Sequence, residues 1–81
     1  MNVEVRYFAS LVDCTGVDVE TIEVGPDEDI ATLWTRLVER HPKLGGIGFR
    51  PMAACDMEYS GWDRTLSGVK EVAFLPPVSG G

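Results

Sequence analysis

Ile30, Leu33, Trp34, Leu37 and Val38 recur at i, i+3, i+4, i+7 and i+8, and this one apolar stripe constrains the fold more than any other feature of the chain. A helix that carries such a stripe must bury it, and the flanking sequence offers short runs of period two to bury it against. Its ends are written in the sequence. Asp29 is the N-cap, because its carboxylate can accept from the unpaired backbone donors of the first turn, and Asp27 and Glu28 add charge at the positive pole. Arg40 and His41 suit the negative pole, and Pro42 stops the helix by pushing its predecessor out of helical geometry. His41 is thereby a helix-end residue before it is a ligand or a base.

Residues 3–8 place Val3, Val5 and Tyr7 on one face of a strand and Glu4, Arg6 and Phe8 on the other. Phe8 is an aromatic on the polar side. Ser10, Asp13, Thr15, Gly16 and Asp18 predict a loop over 9–18, pinned by Leu11 and Val12. A second strand follows at 19–24, with Ile22 and Val24 inward, and its nearness to the first suggests an antiparallel hairpin. Beyond the helix, Lys43 to Pro51 reads as a flexible connector on its three glycines, Gly45, Gly46 and Gly48. That run is no phosphate loop, since it lacks the Gly-Lys-Ser/Thr ending and follows a helix instead of a strand. A third strand is expected from Met52 to about Asp56 with Cys55 inward, then a tight turn over Asp56 to Ser60 with Tyr59 facing out. The last strand is expected over Val69 to Leu75, with Val72 and Phe74 on one face and Ala73 and Leu75 on the other.

Strand, strand, helix and two or more strands make an α+β sandwich of two layers, and a β-grasp (ubiquitin-like) roll satisfies this order: a mixed sheet of four to five strands with one main helix across one face. In a roll of this kind the first and last strands lie side by side. Phe8 and Leu75, each outward by alternation, then become neighbours on the uncovered face and form an apolar patch suited to a protein partner.

Composition narrows the function. Seven bases against thirteen acids give a net charge of −6, which lacks the basic footprint that nucleic acid or an anionic membrane surface requires. There is no run of about 20 apolar residues to span a membrane, and the start, Met1-Asn2-Val3-Glu4, lacks the pattern of a secretory signal, so a cytoplasmic protein is expected. Cys14, Cys55 and a single histidine are too few for a zinc site, and two thiols in such a setting are expected to stay free. A core built from 81 residues leaves little room to enclose an active site as well. Catalysis by this chain alone is therefore not expected.

After Leu75 the sequence reads Pro76-Pro77-Val78-Ser79-Gly80-Gly81. Two prolines cannot donate to a sheet ladder and favour an extended course, so a β-grasp domain over 1–75 is expected to be followed by an extended, flexible tail over 76–81. Gly80 and Gly81 carry no side chains, which suits a narrow channel and leaves a terminal carboxylate within reach of a partner's chemistry.

This ending, Val72-Ala73-Phe74-Leu75-Pro76-Pro77-Val78-Ser79-Gly80-Gly81, resembles the terminus of the MoaD family, the small sulfur-carrier subunits of molybdopterin synthases, within the ThiS/MoaD ubiquitin-like superfamily. Val5-Arg6-Tyr7-Phe8-Ala9 is similar to the family's first strand, Ile30 to Leu37 to its helix, and Leu66 to Val72 to its approach to the last strand. Two stretches depart from the usual wording: Asp56 stands where relatives often carry Asn, and Gly68-Val69-Lys70-Glu71 replaces an Asp-Gly-Asp-Glu turn. The resemblance implies a carrier cycle. An adenylyltransferase of the MoeB type would use ATP and magnesium to adenylate Gly81, a sulfur donor system would replace AMP, and the thiocarboxylate would enter the large subunit, MoaE. There it would give its sulfur to cyclic pyranopterin monophosphate, with two carriers on a MoaE dimer as a heterotetramer and no cofactor bound by the carrier itself. Phe8, Tyr59 and Leu75 match the family's partner-facing surface, and Pro76, Pro77, Val78 and Ser79 lead to the reacting Gly80 and Gly81. Two other expectations share parts of this sequence: a sibling carrier for thiamine synthesis, tRNA thiolation or protein conjugation, and a ubiquitin-like interaction module whose end is never activated.

Overall fold

The alternating runs and the single stripe assemble as their periods require. A computed structural model describes residues 1–77; the expected tail from Val78 through Ser79, Gly80 and Gly81 lies outside the described residues. Strands β1 (Asn2–Tyr7), β2 (Val19–Glu23), β3 (Met52–Cys55), β4 (Glu58–Ser60) and β5 (Glu71–Leu75) form one mixed sheet in the order β2-β1-β5-β3-β4. β5 lies at the centre, parallel to β1 and antiparallel to β3, and the remaining pairs are antiparallel. Helix α2 (Ile30–Arg40) supplies the second layer.

The core lies between that helix and one sheet face. Val3, Val5, Tyr7, Ile22, Val72, Phe74, Ala53 and Cys55 are buried from the strands, and Ile30, Leu33 and Leu37 from the helix. Each large apolar side chain among them contributes about 1.5–3 kcal/mol relative to exposure. The N-cap is as expected: the Asp29 carboxylate accepts from the backbone N–H of Thr32 at 2.8 Å. Glu28 accepts from the Gly25 N–H and from Arg36, both at 2.9 Å, and so fastens the chain's entry to the helix body. No helix among the described residues is long and apolar enough to cross a membrane.

Three local expectations change. The loop expected over 9–18 contains a short helix, α1 (Ser10–Thr15), which buries Leu11 and closes on Gly16 at φ 76° with its N–H donating to Val12. Six residues are too few to show a helical period, and Asp13 and Thr15 carry turn signals of their own. The flexible connector holds a 3-10 turn over Pro42–Gly46 that sinks Leu44 into the core; one buried leucine fixes what the glycines left open. The tight turn occupies only Asp56 and Met57, and Glu58–Ser60 is β4, paired to β3.

Asp56 stands where the resemblance leads one to expect Asn. Its carboxylate accepts from the backbone N–H groups of Lys70 at 3.1 Å and Glu71 at 3.0 Å, so the position needs only an acceptor. The displaced glycine, Gly68, takes φ 78° ahead of β5.

Ala9 joins β1 to α1 at φ 53° and ψ −130°, with the Leu11 N–H donating to Phe8 across it. A Cβ is strained there, at a cost of about 1–3 kcal/mol, whereas glycine enters freely and loses only about 0.5–1 kcal/mol in chain entropy. Ala9→Gly is expected to stabilise the fold by about 1 kcal/mol, which for a domain of this size raises Tm by about 5 °C; a fall in Tm on thermal unfolding would contradict it.

A polar latch ties the far corner. Glu20 on β2 accepts from Tyr7 Oη at 2.6 Å and Arg40 Nε at 2.8 Å, and its Oε2 lies 2.6 Å from His41 Nε2. Burial, the largest single influence, works to raise the Glu20 pKa, but the hydrogen bonds from Tyr7 and His41 with the charges of His41 and Arg40 outweigh it and hold the carboxyl below its ordinary range. The stability this gives is therefore complete above the unfolded carboxylate pKa near 4.5 and lost as pH falls through the lower folded value. Glu20→Gln should cost about 1–2 kcal/mol at pH 7 and remove part of the acid sensitivity, read as Tm against pH. An unchanged acid limb would show that Glu20 is not a source of it.

Candidate functional site

Among the described residues the sheet face opposite α2 has no layer over it, and strand register arranges its side chains in rows. Arg6 pairs with both Val19 and Ala73, Ala73 with Ala54, and Ala54 with Tyr59, so these five residues cross the sheet in one line. The alanines are only 8% exposed each, a low floor between Arg6 and a Tyr59 that is 66% exposed. One row nearer the end of β5, Leu75 pairs with Met52, and the Phe8 N–H donates to the Phe74 carbonyl at 3.1 Å, continuing the β1–β5 ladder and setting Phe8 beside Leu75. Phe8 is 43% exposed, while Leu75 and Met52 are half-buried.

The Phe8–Leu75 patch is therefore present, and it is larger than alternation alone predicts. Met52 and Val19 join it through pairings that only the three-dimensional register fixes. Tyr59 faces the same side because β4 pairs with β3, where the sequence left it as an outward residue near a turn. Arg6, which stands between Val19 and Ala73 in its row, donates to Glu71 at 2.8 Å, in the neighbouring row away from the chain's exit.

The patch surrounds the point where the chain leaves the sheet. β5 ends at Leu75; Pro76 is half-buried and Pro77 exposed, and neither has an N–H to extend the ladder. The exit from the central strand is thus flanked by Phe8 and Met52. The expected roles of Val78, Ser79, Gly80 and Gly81 fall outside the described residues. Cys14 is half-buried and Cys55 buried, both as free thiols, and burial pushes the Cys55 thiol pKa up, away from nucleophilic use. His41 is held by Glu20 in the latch, on the helix side of the sheet with Tyr7.

Such a face, apolar around the end of β5 and floored by alanines, suits a partner that docks flat. The sequence model of the ThiS family matches residues 5–81. The chain belongs to the ThiS family. A Homo sapiens protein named molybdopterin synthase sulfur carrier subunit is 37% identical to this ThiS-family chain over 83 residues, covering 99% of this chain and 94% of its own length. Among solved structures, SAMP1 of Haloferax volcanii, small archaeal modifier protein 1, superposes with a TM-score of 0.84 at 25% identity and covers 100% of both chains. A chain from the Helicobacter pylori complex of subunits 1 and 2 of molybdopterin-converting factor aligns over 100% of both chains with a TM-score of 0.67; at 22% identity this likeness speaks to the fold. These neighbours place the chain in the β-grasp, ubiquitin-like class that its element order predicts.

Proposed function

We propose that this chain is the sulfur-carrier subunit of a molybdopterin synthase and that its Gly81 carboxylate is the group that carries sulfur. The observation that bears most weight is the likeness to the human sulfur carrier subunit, which extends over 99% of this chain. A carboxylate resists attack because the incoming nucleophile must add charge to an anion, and joining it to AMP supplies a leaving group. An adenylyltransferase of the MoeB type would provide that step with ATP and magnesium, a sulfur donor system would displace AMP, and the thiocarboxylate would then serve cyclic pyranopterin monophosphate. The bases and oxyanion donors belong to those partners. Phe8, Tyr59 and Leu75 would dock on the large subunit while Pro76, Pro77, Val78 and Ser79 guide Gly80 and Gly81 into it, in the cytoplasm, with two carriers on a large-subunit dimer. The relatives named as sulfur carrier subunits of molybdopterin synthase support a further synthase subunit as the partner.

The likeness to SAMP1 favours one second reading, a modifier whose activated end is joined to other proteins. Reconstitution separates the two. With ATP, adenylyltransferase, sulfur donor, large subunit and cyclic pyranopterin monophosphate, a sulfur carrier yields molybdopterin. A modifier would instead appear as covalent adducts on protein lysines, and adducts without molybdopterin would reverse the assignment.

A further inference from the structure

Away from the chain's exit the open face changes character. Its third row is Glu4 paired with Glu71, and the β3–β4 turn closes that row with Asp56 and Met57. Met57 is 91% exposed, the most exposed large apolar side chain among the described residues. It also sits at φ 72°, in the second position of a two-residue hairpin turn where glycine is the favoured residue. Folding therefore gains nothing from this side chain: it is not buried, and its Cβ opposes the turn. With Glu4, Asp56, Lys70 and Glu71 it lines a depression of about 430 Å³. Three of those four polar neighbours are acids. Arg6 pairs with Glu71, and Asp56 Oδ1 accepts from two backbone N–H groups, but Glu4 has no ion pair among the described residues. Tyr59 stands two positions along the same hairpin, so Met57 is continuous with the docking face.

We propose that Met57 is an anchor for the large subunit, seating in an apolar socket ringed by arginine and lysine, so that docking spans the sheet from Phe8 at the chain's exit to Met57 at the opposite end. This rests on the carrier reading and names a second contact within it. Methionine suits the role because an unbranched thioether fits an irregular socket, and an acidic surround steers a basic partner and makes the association sensitive to salt.

The anchor has a signature that a structural residue cannot imitate. Met57→Gly removes both the exposed side chain and the strained Cβ, so Tm should rise by a few degrees while affinity for the purified large subunit, measured by calorimetry with the full chain, falls about tenfold. Met57→Asn, which favours left-handed backbone but keeps a Cβ, should raise Tm by less than glycine does and lose the same affinity. Glu4→Gln should flatten the dependence of affinity on salt. Wild-type affinity in both Met57 variants would overturn the anchor, as would an unaltered salt dependence in Glu4→Gln. Phe8→Asp in the same titration keeps the two readings apart: its loss of binding beside unaffected Met57 variants sinks only the anchor, whereas full binding by Phe8→Asp sinks the docking face as a whole.

Discussion

A chain that lacks Gly81, or that carries one added residue after it, is expected to lose sulfur transfer more than about a hundredfold while keeping its fold. The reason is reach. One residue of extended chain spans about 3.3–3.6 Å, and a displacement of only about 1 Å at a reacting centre can cost about 10²-fold. Shortening moves the carboxylate back from the partner's reacting groups, and lengthening replaces it with a peptide bond, so both variants fail for want of a correctly placed end. The core ends at Phe74 and the sheet at Leu75, and Tm should accordingly match wild type. Product formation in the reconstituted synthase checks activity, and thermal unfolding checks the fold. An extended chain with full activity would show that the reacting group is elsewhere.

Phe8→Asp is expected to weaken docking on the large subunit about 30- to 100-fold, the loss typical of an aromatic anchor at the centre of an interface. Its cost to the fold should stay below about 1 kcal/mol, because Phe8 is 43% exposed and lies outside the core cluster. Leu75 is the poorer probe: it is half-buried in the central strand, so an aspartate there disturbs the sheet as well as the partner. Titration of the large subunit, paired with thermal unfolding of the free variant, separates the two effects. Unfolding of Phe8→Asp would mean that its ring belongs to the core, and unchanged affinity would remove the patch from the interface.

What could be read from the residues alone followed their periods. The stripe from Ile30 to Val38 repeats often enough to define a helix, Asp29 and Pro42 mark its ends by local chemistry, and Val3, Val5 and Tyr7 alternate cleanly enough to fix which side of β1 is buried. From there Phe8 on the opposite face follows directly. Elements too short to repeat their own period stay hidden: α1 passes for a loop because Asp13 and Thr15 speak more loudly than Leu11, and the 3-10 turn is betrayed only by Leu44. Met52 and Val19 could not be placed in the patch, since their membership depends on register between strands far apart in sequence. Met57 was missed for a different reason. Its conformation, not its identity, makes it unusual, and a positive φ leaves no trace in a sequence when the residue is not glycine.

The most direct test of the carrier account is the intact mass of the full chain, taken before and after incubation with ATP, magnesium, the adenylyltransferase and a sulfur donor. We expect one oxygen to be exchanged for sulfur, with the change located to Gly81 by fragmentation and absent when ATP is withheld. An unchanged mass beside an adenylyltransferase that activates its own known carrier, or sulfur found on Cys14 or Cys55 in place of Gly81, would contradict it.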